Sequence, residues 1–225
     1  MSLIDSLIEG GWLKTPRIIN AFRKIHRVDF LPARLNFGKN FGGPEDIKNF
    51  AELNEALPIG YGQTISQPLV VAFMTEQLNP QPGEKILDIG SGSGWTTALL
   101  AHILSKNCTG STRANCGRVI AIEVIPELKE FGERNVAKYD FIKSGIVEFI
   151  CADGSKGYQE KAPFDKILVS ATAERVFPAW KEQLKIGGRI VTPIGSSIWL
   201  FIKKTEKEFA EIEYPGFAFV PLIEK

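Results

Sequence analysis

The sequence predicts an α/β fold: a doubly wound, mostly parallel sheet with antiparallel strands at the C-terminal edge and an N-terminal helical extension. Three observations predict it. After Gly83, short apolar runs alternate with amphipathic segments, the last apolar runs follow one another after short turns only, and the first 78 residues are helical and irregular in pattern. A length of 225 residues favours one domain, with residues 1–78 as its N-terminal part and 79–225 as its α/β core.

The helical extension is predicted from apolar residues at helical spacing. These residues are Leu3, Ile4, Leu7 and Ile8 in one segment, and Ile18, Ile19, Phe22 and Ile25 in the next. Pro16 suits the first turn of the second helix. Residues 37–50 are rich in glycine and are predicted as a long loop. A third helix is expected through Val71, Met74 and Leu78.

The core elements follow in alternation along the rest of the chain. Strands buried on both faces are predicted at Lys85–Ile89, Arg118–Ile122, Ile146–Ile150 and Lys166–Ser170. Helices are predicted between and after them at Thr96–Leu104, Pro126–Tyr139 and Pro178–Ile186, with Gly187 and Gly188 ending the last one. The antiparallel edge is predicted from Arg189–Ile194, Ile198–Lys203 and Phe217–Leu222.

Composition excludes several classes of function. A net charge of +1 argues against a nucleic-acid partner, and no stretch approaches the roughly 20 apolar residues that cross a bilayer. Three cysteines without a CxxC pair favour a reducing cytoplasm. Cys108 and Cys116 could meet across the loop between them, but two free thiols are the preferred interpretation. Two histidines without a second ligand nearby give no support to a metal site.

The strongest chemical signal is a glycine loop between a predicted strand and a predicted helix. It places Gly90, Gly92 and Gly94 in a G-x-G-x-G pattern, whereas a dinucleotide site requires G-x-G-x-x-G. Trp95 stands where the third glycine of that motif would be, and Asp88 would repel a pyrophosphate. A cationic ligand without phosphate, S-adenosylmethionine, suits this loop better, and Asp88 and Gly94 are predicted to bind it together with Gly90 and Gly92.

Two further strand ends carry acids toward the same edge of the sheet. Glu123 ends the second strand, where a carboxylate can accept hydrogen bonds from both ribose hydroxyls. Asp153 and Gly154 follow the third strand, where the acid can accept from an adenine amine; an ordinary Asp-Gly turn is the alternative. Because open α/β sheets bind ligands at the carboxyl ends of their strands, these residues are predicted to converge on one crevice.

Several segments of the chain, in order, resemble the protein-L-isoaspartate (D-aspartate) O-methyltransferase family. The most specific is Leu57–Pro68, which reads LPIGYGQTISQP. The others are Arg27–Pro32, Asp88–Gly94, Ala152–Gly154, Ala162–Asp165, Gln183–Val191 and Phe219–Leu222. The resemblance implies a Rossmann-like methyltransferase that uses S-adenosylmethionine to methylate the α-carboxylate of isoaspartyl residues in peptides and proteins, and we expect a cytoplasmic monomer.

Roles transfer from the family to matching positions only. The resemblance implies that the Ser66 hydroxyl acts in catalysis and holds the methyl acceptor, and we expect Thr64 to assist it. It implies cofactor contacts at Gly90, Ser91, Gly92, Glu123, Asp153 and Gly154. The chain departs from the family pattern at Glu52 and Asn54, which puts substrate preference in question, and at Trp95, where tyrosine is more usual.

Three other functions compete with this hypothesis. A methyltransferase with a different acceptor would share every cofactor feature, but Leu57–Pro68 argues against it. A nucleotide-dependent oxidoreductase is disfavoured by Asp88 and Trp95. A non-catalytic protein that binds S-adenosylmethionine is conceivable because of Glu52 and Asn54.

Overall fold

The structure is a computed structural model and describes residues 2–33, 36–37, 40–41, 44–107 and 116–224. Its helices are α1 (Leu3–Glu9), α2 (Pro16–Lys24), α3 (Pro44–Ala51), α4 (Pro68–Leu78), α5 (Trp95–Leu104), α6 (Pro126–Ala137) and α7 (Pro178–Glu182). Its strands are β1 (Asn36–Phe37), β2 (Asn40–Phe41), β3 (Leu57–Gly60), β4 (Gln63–Ile65), β5 (Lys85–Ile89), β6 (Arg118–Glu123), β7 (Val147–Cys151), β8 (Phe164–Val169), β9 (Leu184–Ile194), β10 (Ser197–Lys203) and β11 (Phe209–Pro215).

The main sheet has seven strands in the order β11-β10-β9-β8-β5-β6-β7. Strands β9, β8, β5, β6 and β7 are parallel, and β10 and β11 add antiparallel to β9 at the C-terminal edge. The predicted fold class is therefore confirmed. The chain moves outward in one direction from β5 through β6 and β7 and in the other through β8 and β9, so the topological switch lies between β5 and β8.

The parallel strands form because their side chains are apolar on both faces. Leu87 of β5 pairs with Ile120 of β6 and Ile167 of β8, and all three are almost completely buried. The N-terminal helices join the same core: Phe22 of α2 packs edge-on against Trp95 of α5, with ring centroids 5.6 Å apart. The N-terminal region is thus packed against the first helix of the α/β core.

The glycine-rich segment contains a helix that the sequence analysis did not predict. Residues 37–50 were expected to be a loop, but α3 begins at Pro44 and ends at Ala51. Pro44 fits the first turn of a helix, and Ile47 and Ala51, one turn apart, are both buried. Packing of this apolar stripe outweighs the glycines before it.

The predicted helix Pro178–Ile186 is wrong in its second half. Helix α7 ends at Glu182, and β9 begins at Leu184 and continues through Gly187 and Gly188. Leu184 is buried and pairs with Phe164 of β8. This long-range pairing decides the conformation, and Gly187 at φ +81° accommodates an irregular turn within the strand.

The last predicted strand, Phe217–Leu222, is also wrong. The edge strand of the sheet is β11, which precedes it. The later segment makes two backbone hydrogen bonds with Thr172: the Thr172 N–H donates to the Val220 carbonyl, and the Leu222 N–H donates to the Thr172 carbonyl. Pro221 within the segment has no N–H to donate, which disfavours a place in a ladder.

Cysteine chemistry differs from the expectation at one position. Cys116 is disulfide-bonded, so the interpretation of Cys116 as a free thiol is wrong; Cys108 lies outside the described residues. Cys151 is a free, exposed thiol. In the part of the chain that the structure describes, no helix is long and apolar enough to span a bilayer. Within the same residues, no three His, Cys, Asp or Glu side chains cluster closely enough to hold a metal ion.

Candidate active site

A cleft lies at the carboxyl ends of the parallel strands. Its position next to the switch between β5 and β8 is where open α/β sheets bind ligands. Its wall comes from six parts of the chain: the β3–β4 hairpin, the loop from β5 into α5, the ends of β6, β7 and β8, and residues 220–223. We refer to it as the cofactor cleft.

The glycine loop forms the floor of the cofactor cleft. The N–H groups of Gly90 and Ser91 donate to the Ile122 carbonyl of β6, at 2.9 and 3.1 Å, which fixes the start of the loop. Gly94 has φ +84°, and a Cβ there would lie 2.8 Å from the Gly132 carbonyl oxygen of α6. Gly94 is therefore required for the close packing of α5 against α6, and it does not line the cleft.

Glu123 holds the glycine loop through its side chain. One carboxylate oxygen accepts the Gly92 N–H at 2.9 Å, and the other accepts the N–H groups of Val124 and Ile125 at 2.9 and 3.1 Å. An ionised carboxylate offers about four lone-pair sites, so acceptor capacity remains for a ligand. Because Glu123 lines the cleft while only 6% exposed, it can both fix the loop and accept from hydroxyl groups.

Two buried polar atoms of residues that line the cleft have no hydrogen-bond partner among the residues that the structure describes. The Ser91 hydroxyl and the indole nitrogen of Trp95 are buried without a hydrogen bond, and both residues line the cleft. Buried polar groups in folded proteins are normally satisfied. A ligand with hydrogen-bonding groups would satisfy them, and together with Glu123 they fit an adenosine compound that carries an amino-acid end.

Asp88 lies behind the glycine loop, outside the wall of the cleft. One carboxylate oxygen accepts a hydrogen bond from the Thr97 hydroxyl at 2.6 Å, and the other is buried without a partner in the part of the chain that the structure describes. Complete burial raises the pKa of Asp88 to about 7; the Thr97 hydrogen bond opposes this shift, and the charge of Glu123 adds to it. Asp88 thus lies behind the loop in this geometry, and its predicted role toward the cofactor stays a prediction.

The third strand end reaches the cleft through its backbone. Ala152 and Gly154 line it, whereas the Asp153 carboxylate accepts from the N–H and hydroxyl of Ser155 at 2.9 and 2.7 Å and caps a 3-10 turn. A Cβ on Gly154 would lie 2.3 Å from a methyl carbon of Ile89, so glycine is needed there for close packing. The role of Asp153 toward an adenine amine stays a prediction.

The β3–β4 hairpin brings the predicted catalytic hydroxyls to the cofactor cleft. Thr64 and Ser66 line the cleft, and they also line a second depression, bounded by Ala56, Gln67, Val70, Ser170 and residues 218–220. We call this depression the acceptor groove. Since both hydroxyl residues border the two spaces, Ser66 and Thr64 stand where a ligand in the cleft and a ligand in the groove would meet.

The C-terminal segment is a part of the site that the sequence analysis missed. Residues 220–223 line the cleft and residues 218–220 line the groove, whereas the prediction placed them in an edge strand. Pro221 was the available signal against a strand. The backbone hydrogen bonds of Val220 and Leu222 with Thr172, just beyond β8, hold this segment over the carboxyl ends of the strands.

The two residues that depart from the family pattern have local structural partners. The Asn54 side-chain oxygen accepts the Leu69 N–H at 2.9 Å and so satisfies one of the free N–H groups in the first turn of α4, whose N-cap residue is Gln67. The Glu52 carboxylate accepts the Leu3 N–H of α1 at 3.4 Å. Neither residue lines the cleft or the groove.

The open parallel sheet, the G-x-G-x-G loop and an acid at the end of the neighbouring strand define a Rossmann-like methyltransferase fold. The family model for protein-L-isoaspartate (D-aspartate) O-methyltransferases matches residues 1–225. The chain belongs to this family, whose members are S-adenosylmethionine-dependent methyltransferases.

Individual relatives agree with the family assignment. A protein-L-isoaspartate O-methyltransferase of Methanopyrus kandleri is 38% identical over 225 residues, covering 98% of this chain and 89% of the relative. Protein-L-isoaspartate O-methyltransferase 2 of Archaeoglobus fulgidus is 39% identical over 209 residues, covering 92% and 84%. A protein-L-isoaspartate O-methyltransferase of Plasmodium falciparum, solved with S-adenosyl-L-homocysteine, has the same fold at 21% identity, with a TM-score of 0.83 over 99% of this chain and 97% of that one.

Proposed function

We propose that this protein transfers a methyl group from S-adenosylmethionine to the α-carboxylate of L-isoaspartyl residues in peptides and proteins. One observation carries the proposal: Ser66 and Thr64 border both the cofactor cleft and the acceptor groove. Family membership supplies the reaction, and this junction supplies a place where donor and acceptor can meet.

The cleft residues would hold the cofactor by hydrogen bonds and shape. Glu123 would accept from the ribose hydroxyls, and the otherwise unpartnered Ser91 hydroxyl would bond a polar group of the cofactor. Gly90 and Gly92 let the ligand approach the backbone closely. Gly154 lines the end of β7. When bound, S-adenosylmethionine supplies an electrophilic methyl group on a sulfonium.

The chain's own part in the reaction is alignment of the acceptor. A carboxylic acid of this kind has an unperturbed pKa near ~3.5, so the acceptor is ionised at neutral pH and needs no general base. The Ser66 hydroxyl, with Thr64 beside it, would donate a hydrogen bond that orients one carboxylate oxygen toward the cleft. Enclosure between the hairpin and residues 218–220 would strip water from the carboxylate and leave a better nucleophile.

The test is methyl transfer to an isoaspartyl peptide beside its aspartyl twin, with S-adenosylmethionine supplied. We expect methylation of the isoaspartyl peptide alone. Cofactor binding without methylation of either peptide would support a non-catalytic binding protein, and methylation of an unrelated acceptor would support a different methyltransferase. Binding of NAD in place of S-adenosylmethionine would favour an oxidoreductase.

The remaining predictions concern the whole molecule. We propose one folding unit, with residues 1–78 and 79–225 as its two parts, because one core cluster includes residues of both, among them Phe22 and Trp95. We also propose a cytoplasmic monomer that binds neither nucleic acid nor membranes; the balanced charge of +1 supports the absence of a polyanion partner. A single unfolding transition and a monomeric mass in solution are the expected results.

A further inference from the structure

Arg27 is a buried cation whose hydrogen bonds go to backbone carbonyls. Its guanidinium nitrogens donate to the carbonyls of Leu53 and Glu55 at 3.0 and 2.6 Å, and to those of Ala51 and Ser66 at 3.4 and 3.3 Å. The residue is only 6% exposed. Burying a charged group is costly unless its donors are satisfied. The two terminal nitrogens of Arg27 have these carbonyl partners, whereas its Nε is buried without a partner among the residues that the structure describes.

These carbonyls come from two separate parts of the chain. Ala51 ends α3, and Leu53 and Glu55 follow it, so Arg27 satisfies carbonyls that α3 and its continuation leave free. Ser66 lies on the other side of the β3–β4 hairpin. One guanidinium therefore ties both ends of the hairpin together.

Arg27 also contacts the wall of the cofactor cleft. Its guanidinium carbon lies 5.5 Å from the centre of the Trp95 ring, and Trp95 is the first residue of α5, directly after the glycine loop. A planar guanidinium can stack on an aromatic ring while it donates in its own plane. The same side chain thus connects the backbone of Ser66 with a residue of the cleft.

We propose that Arg27 is a positioning residue for methyl transfer, which sets the place of Ser66 relative to the cofactor cleft. The inference rests on the proposed function, in which Ser66 orients the acceptor carboxylate. Arg27 touches neither reactant in this arrangement, and it acts through the Ser66 backbone and the Trp95 ring. Misplacement of a reacting group by about 1 Å can lower a rate on the order of 100-fold, so loss of this tether is expected to affect turnover.

The test compares Arg27→Lys with Arg17→Lys. Lysine keeps the charge but cannot donate in a plane to both ends of the hairpin. Arg17 is a matched control because it also donates to a carbonyl, that of Pro80, but away from the cleft. We expect Arg27→Lys to lower kcat by roughly tenfold or more, with cofactor Kd and peptide KM changed less than about threefold, and Arg17→Lys to keep wild-type kcat.

The rate is divided by the concentration of cofactor-binding sites, which is measured by titration with S-adenosylhomocysteine. Misfolded protein therefore does not lower the value of kcat. In a Ser66→Ala background, Arg27→Lys should lower kcat further by less than about threefold, because coupled residues are not additive. Arg27→Ala should regain turnover when guanidinium is added at a non-denaturing concentration.

Three results would overturn the inference: wild-type kcat in Arg27→Lys, an equal loss in the Ser66→Ala background, or a loss of cofactor affinity that matches the loss of kcat. Failure of the proposed function looks different. Wild-type turnover in Ser66→Ala would remove the proposed role of Ser66 itself, whereas an active Arg27→Lys beside an impaired Ser66→Ala overturns only the role of Arg27.

Discussion

The cofactor cleft is built on the ends of adjacent parallel strands, to which the hairpin and residues 220–223 add a wall, whereas the acceptor groove is formed mainly by the end of the hairpin, the start of α4 and residues 218–220. The glycine loop in the cleft is fixed by backbone hydrogen bonds to the Ile122 carbonyl and by the Glu123 carboxylate. The groove is held by contacts between distant residues: Arg27 bonds the Ser66 carbonyl, Asn54 bonds the first turn of α4, and Thr172 bonds the Val220 carbonyl. Substitutions in the two regions should therefore affect different measured quantities.

The largest effect is expected from Asp88, beneath the cleft. The folded protein holds the Asp88 proton up to a pKa of about 7, while the ordinary value is 3.8. Between these pH values the folded protein binds a proton at Asp88 that the unfolded chain releases. The stabilisation of the folded state by this proton is complete below pH 3.8 and is lost as pH rises through about 7. The free energy of unfolding should fall across this window by up to about 4 kcal/mol.

Denaturant unfolding of Asp88→Asn and wild type between pH 4 and 8 measures this contribution. The wild-type curve should fall relative to that of Asp88→Asn as pH rises, because asparagine does not titrate. Asp5→Asn, which alters an exposed carboxylate, serves as the control for loss of a negative charge. Parallel curves for wild type and Asp88→Asn would show that Asp88 titrates normally.

Glu123→Gln should weaken cofactor binding more than it weakens turnover. The glutamine amide would place its NH₂ group against one of the backbone N–H groups that now donate to the carboxylate. Two donors would then face each other, which would disturb the glycine loop. Charge-assisted hydrogen bonds contribute about 1.5–3 kcal/mol each, so cofactor Kd should rise by roughly 100-fold. Kd is measured by calorimetry, with the exposed Glu127→Gln as the control. An unchanged Kd would exclude Glu123 from the cofactor site.

Much of the cleft follows from the sequence because strands of a parallel sheet are recognisable locally. Lys85–Ile89 has the predicted bounds, and the predicted residues Gly90, Gly92 and Glu123 meet at one cleft. Side-chain direction was less predictable. Asp88 points toward Thr97 behind the loop and Asp153 caps its own turn, because neighbouring residues in a strand point to opposite faces and the sequence does not say which face a helix covers.

The groove was less accessible to sequence reasoning because its parts are held by long-range contacts. The Leu57–Pro68 motif located Ser66 and Thr64, but no local pattern indicated that Arg27 would donate a hydrogen bond to the Ser66 carbonyl. The same holds for Leu184, whose pairing with Phe164 converts a predicted helix end into a strand. Non-local pairing overrides local propensity in such segments.

Ser66→Ala should lower turnover more than it weakens cofactor binding, which is the reverse of the result expected for Glu123→Gln. Loss of a hydroxyl that orients the acceptor should lower kcat by roughly 10- to 100-fold, while cofactor Kd stays near the wild-type value. Steady-state methylation of an isoaspartyl peptide measures it. Ser6→Ala is the control, because its hydroxyl bonds a carbonyl within α1. A rise in cofactor Kd with unchanged kcat would place Ser66 on the cofactor side.

The smallest effect is expected from substitution of Asn54. This substitution distinguishes a structural role of the residue from a role in substrate preference. Because the Asn54 oxygen accepts the Leu69 N–H in the first turn of α4, Asn54→Ala should lower the free energy of unfolding by about 1 kcal/mol, whereas Asn54→Asp, which keeps an acceptor oxygen, should not. Both variants should keep the wild-type ratio of kcat/KM values on two isoaspartyl peptides of different flanking sequence. A changed ratio with unchanged stability would mean that Asn54 contacts the acceptor, and that the groove extends beyond Ala56 toward the start of α4.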